Sequence, residues 1–484
     1  MRPKLTARPR FSRRSLPFVI GTMCIAACSQ TAGPAAVGAP SGTTSVETAV
    51  TPSTSLPEEA KPATTTTRPP RTTTTSTIPA PTDVYVEPTI EGVNLDACRL
   101  RDQSGDLDYP YRLSTGFPVV TTNFGPEGTF KIALVPIDFN DVPGTPTPVE
   151  RLQHHMDMTS DWYSMVSDGR VTIEWQPYDG WIRINDDLEK YALDRSRSDD
   201  DRIARLGFAA ADPLIDFTDV KGVAFFLPEG QTLMAEGVQG FRHSEFGGSG
   251  GYTTGEGTIY NYMLGGSYWE RPDKELWSYW AHEMGHMFPL PDLYDNRTQW
   301  WNGVQLEIPG GPFSQFDMMA SQDGPSRTLS TWLRFLMGWL DDSQVLCLDP
   351  AGDITGDLSL VHTDSDEPGL KSVMIPLDEQ RLIVVEARRP NTTFDCPTST
   401  KPAPGWRVRN GVLVFTADMT IGHGNAFQQL IAPEGRGLND VPDCGVPRQF
   451  DAILAPGDSV TVEGITISVR HNGNYDHISI ARSS

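Results

Sequence analysis

The fold class this sequence predicts is a mixed α/β unit followed by an all-β, sandwich-like segment, and three observations predict it. Lys131-Ile132-Ala133-Leu134-Val135-Pro136-Ile137-Asp138-Phe139 and Gly222-Val223-Ala224-Phe225-Phe226-Leu227 are continuous apolar runs of the kind that buried strands carry. Helical patterns lie between and after them, over Val149–Val166 and about Asp273–Phe288. Beyond Leu340 the pattern changes to short alternating runs separated by turn residues, among them Leu382–Glu386, Val412–Phe415 and Val460–Val462. A chain of 484 residues is expected to hold more than one domain, since a single core seldom grows past roughly 250–300 residues.

The chain opens as an address. Arg2, Lys4, Arg8, Arg10, Arg13 and Arg14 precede an apolar stretch from Leu16 to Ala27, the layout of an export signal. That stretch is too short to cross a hydrocarbon core, which needs about 20 helical residues. It ends Ile25-Ala26-Ala27-Cys28, which resembles a bacterial lipobox, so residues 1–27 are expected to be a lipoprotein-type signal peptide and Cys28 the lipidated first mature residue. Ser12-Arg13-Arg14-Ser15-Leu16 also resembles a twin-arginine export motif, and the export route stays open. Residues 28–86 are rich in Ser, Thr and Pro, with Thr64–Thr67 and Thr72–Thr75 as homopolymeric blocks. With so little to bury, they are expected to form a disordered stalk that holds the folded part off the membrane surface.

Folded sequence opens near Val84. After the first apolar run, Val149–Val166 reads as a helix stopped at Gly169, and Val171-Thr172-Ile173-Glu174-Trp175 alternates as a strand does. The second apolar run is followed by a glycine-rich loop at 247–257 and a strand at about 258–264. Asp273 is a candidate N-cap for the next helix, with Glu275 in its first turn; Pro289 ends it, because a proline disfavours helical geometry in the residue before it. Thr328–Trp339 reads as one more helix, stopped near Gly338.

The formal charge is −23, and removal of the six basic residues of 1–27 takes it to −29. So acidic a chain is not built for nucleic acid, and it offers hard oxygen ligands that suit calcium. Cys24 leaves with the leader and Cys28 is the expected anchor, so Cys98, Cys347, Cys396 and Cys444 remain. An even number in an exported chain predicts two disulfides. Cys396 with Cys444 is the favoured pair, since both lie in the last segment, which leaves Cys98 for Cys347.

Chemistry concentrates in His282-Glu283-Met284-Gly285-His286. Histidines four apart lie on one face of a helix and can offer their imidazoles to one metal ion, with Glu283 beside them. Zinc suits nitrogen and carboxylate ligands, and with three protein ligands it keeps a fourth position for water. Glu283 is then the expected general base, taking a proton from a metal-activated water that attacks a peptide carbonyl. A third ligand is needed, and Asp292 stands ten residues after His282.

The run His282 to Asp295, ending Pro291-Asp292-Leu293-Tyr294-Asp295, resembles the immune inhibitor A-like family of metallopeptidases, metzincin-type zinc peptidases that carry His-Glu-x-x-His-x-x-Gly-x-x-Asp followed by Leu-Tyr-Asp. Phe316-Asp317-Met318-Met319-Ala320 resembles the family's methionine turn, and Gly338-Trp339-Leu340 its Gly-Trp-Leu. The resemblance spans about residues 130–420 and is specific only at 282–295 and 316–340. It implies a metzincin-like peptidase domain at 87–340, ahead of the sandwich-like domain that the alternating runs predict at 341–484, with Asp292 as the third zinc ligand and Met319 as the methionine beneath the metal. Activity would be that of a secreted, lipid-anchored zinc endopeptidase acting on protein or peptide substrates. One position departs from the pattern: the family's turn glycine is Pro289, locked near a φ of −65° where glycine can turn with positive φ. The turn is therefore expected to be built differently. Glu307 and Asp295 are substitutes for Asp292 should that turn not deliver it; otherwise Asp295 is expected to orient a ligand or bind calcium. The same departure leaves open a catalytically inactive cell-envelope binding protein on this scaffold.

Other features are read as structural. His154 and His155 are adjacent on a helix and expected to be solvated, and His243 to be a surface residue. The 247–257 loop lacks the endings of a phosphate cradle and reads as a mobile rim. Pro442-Asp443-Cys444-Gly445 resembles a cysteine switch, but it lies far from any N-terminal propeptide and has Asp443 where an arginine belongs.

Overall fold

Residues 132–139 are apolar at every position but Asp138 because this part of their strand is buried on both faces. In the computed structural model, Ile132 and Leu134 enter one core cluster while Ala133, Val135 and Ile137 enter another, the period-two alternation of a strand. The structure describes residues 83–482 apart from 106–112, 121–123, 147, 195–196, 232, 234–237, 242–249, 266–274, 296–312, 314–315, 323, 325, 392, 396–409, 437, 440–448 and 451. The expected leader, Cys28, the stalk up to residue 82, His243, Asp273, Glu307, Cys396 and Cys444 lie outside the described residues. Among the described residues no helix is long and apolar enough to cross a membrane.

The chain runs β1 (Gly128–Phe139), α1 (Pro148–Val166), β2 (Val171–Pro177), β3 (Ile182–Ile184), β4 (Ala192–Asp194), β5 (Arg197–Ser198), α2 (Asp200–Ala211), β6 (Val220–Phe226), β7 (Val238–Phe241), β8 (Tyr252–Thr253), β9 (Thr258–Ile259), β10 (Asn261–Gly265), α3 (Leu276–Met287) and α4 (Thr331–Leu336). The main sheet has the order β2-β1-β6-β10-β7, parallel except for β7, with β3 also paired to β1. β2 pairs β1 as far as Leu134 and β3 takes over at Ile137, so Pro136 falls in the gap between them. On one face Ile203, Ala204 and Phe208 of α2 cover Val223 and Phe225 of β6. On the other, Trp162 and Tyr163 of α1 and Trp277 and Trp280 of α3 pack with Ala224 and Phe226.

Then follow β11 (Val345–Cys347), β12 (Gly356–Leu360), β13 (Ser372–Pro376), β14 (Arg381–Arg388), β15 (Gly411–Asp418), β16 (Gln428–Ile431), β17 (Leu438–Asn439), β18 (Gln449–Phe450), β19 (Ser459–Val462), β20 (Ile465–Asn472) and β21 (Asp476–Arg482). They give a five-stranded sheet, β11-β13-β14-β15-β16, and a four-stranded one, β12-β21-β20-β19. Ile383, Val385, Val412 and Val414 share one apolar cluster with Leu358, Ile467 and Ile478 of the second sheet. The opposite face of the first sheet, with Leu382, Val384, Leu413 and Phe415, joins the cluster that holds α1 and α3. That core therefore runs across residue 340 without interruption. The segment entering the fold is tied to the same strands: Val86 N–H donates to Ser359 Oγ at 2.8 Å, and Cys98 is bonded to Cys347, the pairing expected from the sequence.

Two helix boundaries differ from expectation. α3 begins at Leu276, and Glu275, expected in its first turn, occupies the cap position without a capping bond, its carboxylate accepting instead from Trp277 Nε1 at 3.0 Å and from Arg327. α4 is confined to Thr331–Leu336, capped by Ser330, because Met318 N–H bonds back to Thr328 O and holds the preceding residues in a turn.

Candidate metal centre

Every residue of helix α3 is buried, and apart from Ser278 and the His282, Glu283 and His286 set it carries the apolar and aromatic side chains of a helix inside a core. It is fixed from α1 by Tyr163, whose hydroxyl donates to Ala281 O at 2.7 Å. The four-residue spacing sets His282 and His286 on one face with ring centroids 5.1 Å apart. Each imidazole is anchored through Nδ1: His282 to Met318 O and His286 to Leu290 O, both at 2.9 Å. With Nδ1 turned to those carbonyls, Nε2 is the ring atom that faces the cluster, which is how protein carbonyls orient metal-binding histidines.

What the two Nε2 atoms face is the central observation. Both are buried and without a hydrogen-bond partner among the described residues, and so are Glu283 Oε2 and Asp292 Oδ1. Asp292 Oδ1 lies 3.3 Å from each Nε2. His282, Glu283 and His286 also offer one atom each within 4.8 Å of one another. Two sets of three ligands can be drawn, both sharing the histidines. Asp292 Oδ1 sits equally close to both nitrogens, which makes Asp292 the more symmetrical third member. Two imidazole nitrogens and two carboxylate oxygens thus converge in a buried place with no geometric hydrogen bond among the described residues, a donor set that fits a cation.

Electrostatics agree. Burial alone pushes the His282 imidazole down, but Asp292 and Glu283 overcome it and raise it to about 9; His286 is raised too, against burial, chiefly by Asp292. Asp292 is held well below the ordinary carboxylate range, burial being outweighed by the imidazoles. Glu283 is pushed up by burial, with the two imidazoles opposing. The cluster is thus short of positive charge at its centre.

The turn from His286 to Asp292 does not avoid the glycine conformation, as the sequence led one to expect. Pro289 keeps a positive φ of 22°, far from the −65° its ring prefers. Leu290 N–H, bonded to Gly285 O at 2.9 Å, closes the turn around it. Asp292 is then held by Tyr294, whose hydroxyl donates to Oδ2 at 2.8 Å. Beneath the histidines Met319 Sδ lies against Gly285, 2.8 Å from where a Cβ would stand, and Met319 O accepts from Leu293 N at 3.0 Å. Asp317 pins this turn, accepting from Met319 N at 2.8 Å and Ser330 N at 2.5 Å.

His282, Glu283, His286, Asp292 and Met319 are therefore brought together. Asp295 is buried and paired through its backbone with Asn425. His154 is exposed, but His155, expected to be solvated, is half-buried with its ring against Trp280, and burial, then His154, lowers it to about 4. Sequence reasoning assigned no role to Asp317, Arg388 or His423. A histidine between Gly422 and Gly424 was the only signal for the last, and nothing in the sequence says which element it meets. No family model matches this chain, and no curated protein matches it.

Proposed function

We propose that the protein is an exported zinc-dependent endopeptidase of metzincin type, tethered by lipid at Cys28, with His282, His286 and Asp292 as zinc ligands and Glu283 as general base. The observation that carries this reading is the convergence of the buried Nε2, Nε2 and Oδ1 atoms, 3.3 Å from nitrogen to oxygen, beside Glu283 Oε2, which has no hydrogen-bond partner among the described residues. Zinc, when bound, supplies a Lewis acid that polarises a carbonyl and lowers the pKa of water. The residues divide the remaining work. Glu283, one position along the helix from a ligand, accepts the proton of the attacking water through Oε2 and passes it to the leaving amine. Burial favours its protonated form, which suits that second transfer. The immune inhibitor A-like resemblance of 282–295 and 316–340 supports the same reading.

The experiment is elemental analysis of the purified full chain after dialysis, followed by hydrolysis of an unstructured protein. One zinc per chain with activity lost in Glu283→Gln, metal retained, is the expected result. Zinc without turnover in the wild type favours an envelope binding protein, and a metal-free wild type removes the peptidase reading.

A further inference from the structure

The carboxylate of Asp292 is shared between two halves of the protein. Its Oδ1 faces the imidazoles, whereas Oδ2 is met by Tyr294 and, at 3.8 Å, by Nδ1 of His423. His423 stands in the loop between β15 and β16, 131 residues further along the chain. This loop is laced to the ligand segment: Gly424 N–H donates to Asp292 O and Ala426 N–H to Tyr294 O, both at 2.9 Å, and Asp295 pairs with Asn425. Asn425 Nδ2 donates in turn to His423 O at 3.0 Å. Gly424 and Ala426 have φ of 65° and 56°, and for alanine that conformation costs roughly 1–3 kcal/mol, maintained by the surrounding bonds.

His423 Nδ1 is itself buried and has no hydrogen-bond partner among the described residues. At 3.8 Å its contact with Asp292 Oδ2 is longer than a hydrogen bond.

We propose that His423 is a positioning residue of the metal centre: with Tyr294 it fixes Asp292 Oδ2, so that Oδ1 stays aimed between His282 and His286. The inference rests on the zinc reading of the site. The imidazole meets the far oxygen of Asp292, so it acts through that carboxylate and is not a fourth ligand. Loss of an outer partner of this kind weakens metal binding by about 10–100-fold. The consequence is that the β-rich half completes the centre, and residues 87–340 alone do not contain all of it.

The test is competition of the full chain against a chromophoric zinc chelator, for wild type, His423→Ala, His423→Gln and His423→Ala in an Asp292→Asn background, with the melting midpoint of each metal-free protein. We expect His423→Ala to weaken zinc binding about 10–100-fold at an unchanged metal-free midpoint, Gln to recover most of it through its amide N–H, and the alanine to have no effect once Asp292 is Asn. Equal affinity in wild type and His423→Ala overturns the inference and leaves the zinc reading intact. A falling metal-free midpoint without rescue by Gln also overturns it, in favour of loop packing. A wild type that takes up no zinc overturns both.

Discussion

The two limbs of the centre are held by different kinds of structure. His282 and His286 stand on one helix, and their Nδ1 atoms are bonded to backbone carbonyls that no side-chain substitution removes. Asp292 stands after a turn containing a proline at positive φ, and side chains and a distant loop hold it. The histidine limb thus stands on one helix with backbone anchors, while the aspartate limb is assembled from side chains and a distant loop. A centre with one rigid and one assembled limb will lose metal first through the assembled one.

The largest effect follows from removing that limb. Asp292→Ala should weaken zinc binding well beyond the 10–100-fold that an outer partner is worth, while the fold survives, because Gly424 N bonds the Asp292 backbone and not its side chain. Zinc content after dialysis checks this. Retention of one zinc by the variant would make Glu283 the third ligand and end the contrast between limbs.

The histidine limb was legible in sequence because its placement is periodic, two histidines four apart on a largely apolar helix with a proline to stop it, although the Met318 carbonyl that anchors His282 was not. The sheet was legible for a related reason, since doubly buried strands are apolar at every position. The aspartate limb was only half legible. Spacing marked Asp292, but a turn through positive φ at Pro289 contradicts local preference and exists only because tertiary bonds enforce it. His423 could not be found this way, for its partner is set by how β15 packs and not by any period.

The second effect concerns the buried charges that join the halves. Glu386 on β14 accepts from Thr331 N and Oγ1 at 2.7 and 2.8 Å and from Arg388 Nε at 2.6 Å, and Arg388 donates to Phe316 O at 2.9 Å, one residue before Asp317. Glu386→Ala removes the carboxylate that pairs with the buried Arg388, a loss that typically costs about 3–5 kcal/mol. Denaturant unfolding should show this loss in a single transition, with the metal-binding turn and the β-sheets melting together. Two separate transitions would mean that the halves are energetically independent.

A third effect is one of pH. Burial raises the Asp317 carboxyl to about 7, although the Ser330 and Met319 amides oppose it. A raised folded pKa gives a contribution that is complete below the unfolded value of 3.8 and lost as pH rises through about 7. Asparagine cannot ionise. The wild type should therefore lose stability relative to Asp317→Asn between pH 4 and pH 8, on the order of 2–4 kcal/mol. Unfolding of both metal-free proteins across that range measures it, since all other titrations are common to the pair. A constant difference would mean that the two amide donors keep Asp317 ionised throughout.

The smallest effect tests the strained turn itself. Pro289 is at a φ of 22°, where its ring is strained and glycine is not. Pro289→Gly relieves that strain but frees the unfolded chain, which offsets about 1 kcal/mol of the gain. Denaturation midpoints should rise slightly, by about 1 kcal/mol in stability, with zinc affinity unchanged, because Leu290 N and Met319 O still fix the backbone on either side of Asp292. A variant that binds zinc less tightly would show instead that the rigidity of the proline, and not the bonds around it, aims the aspartate limb.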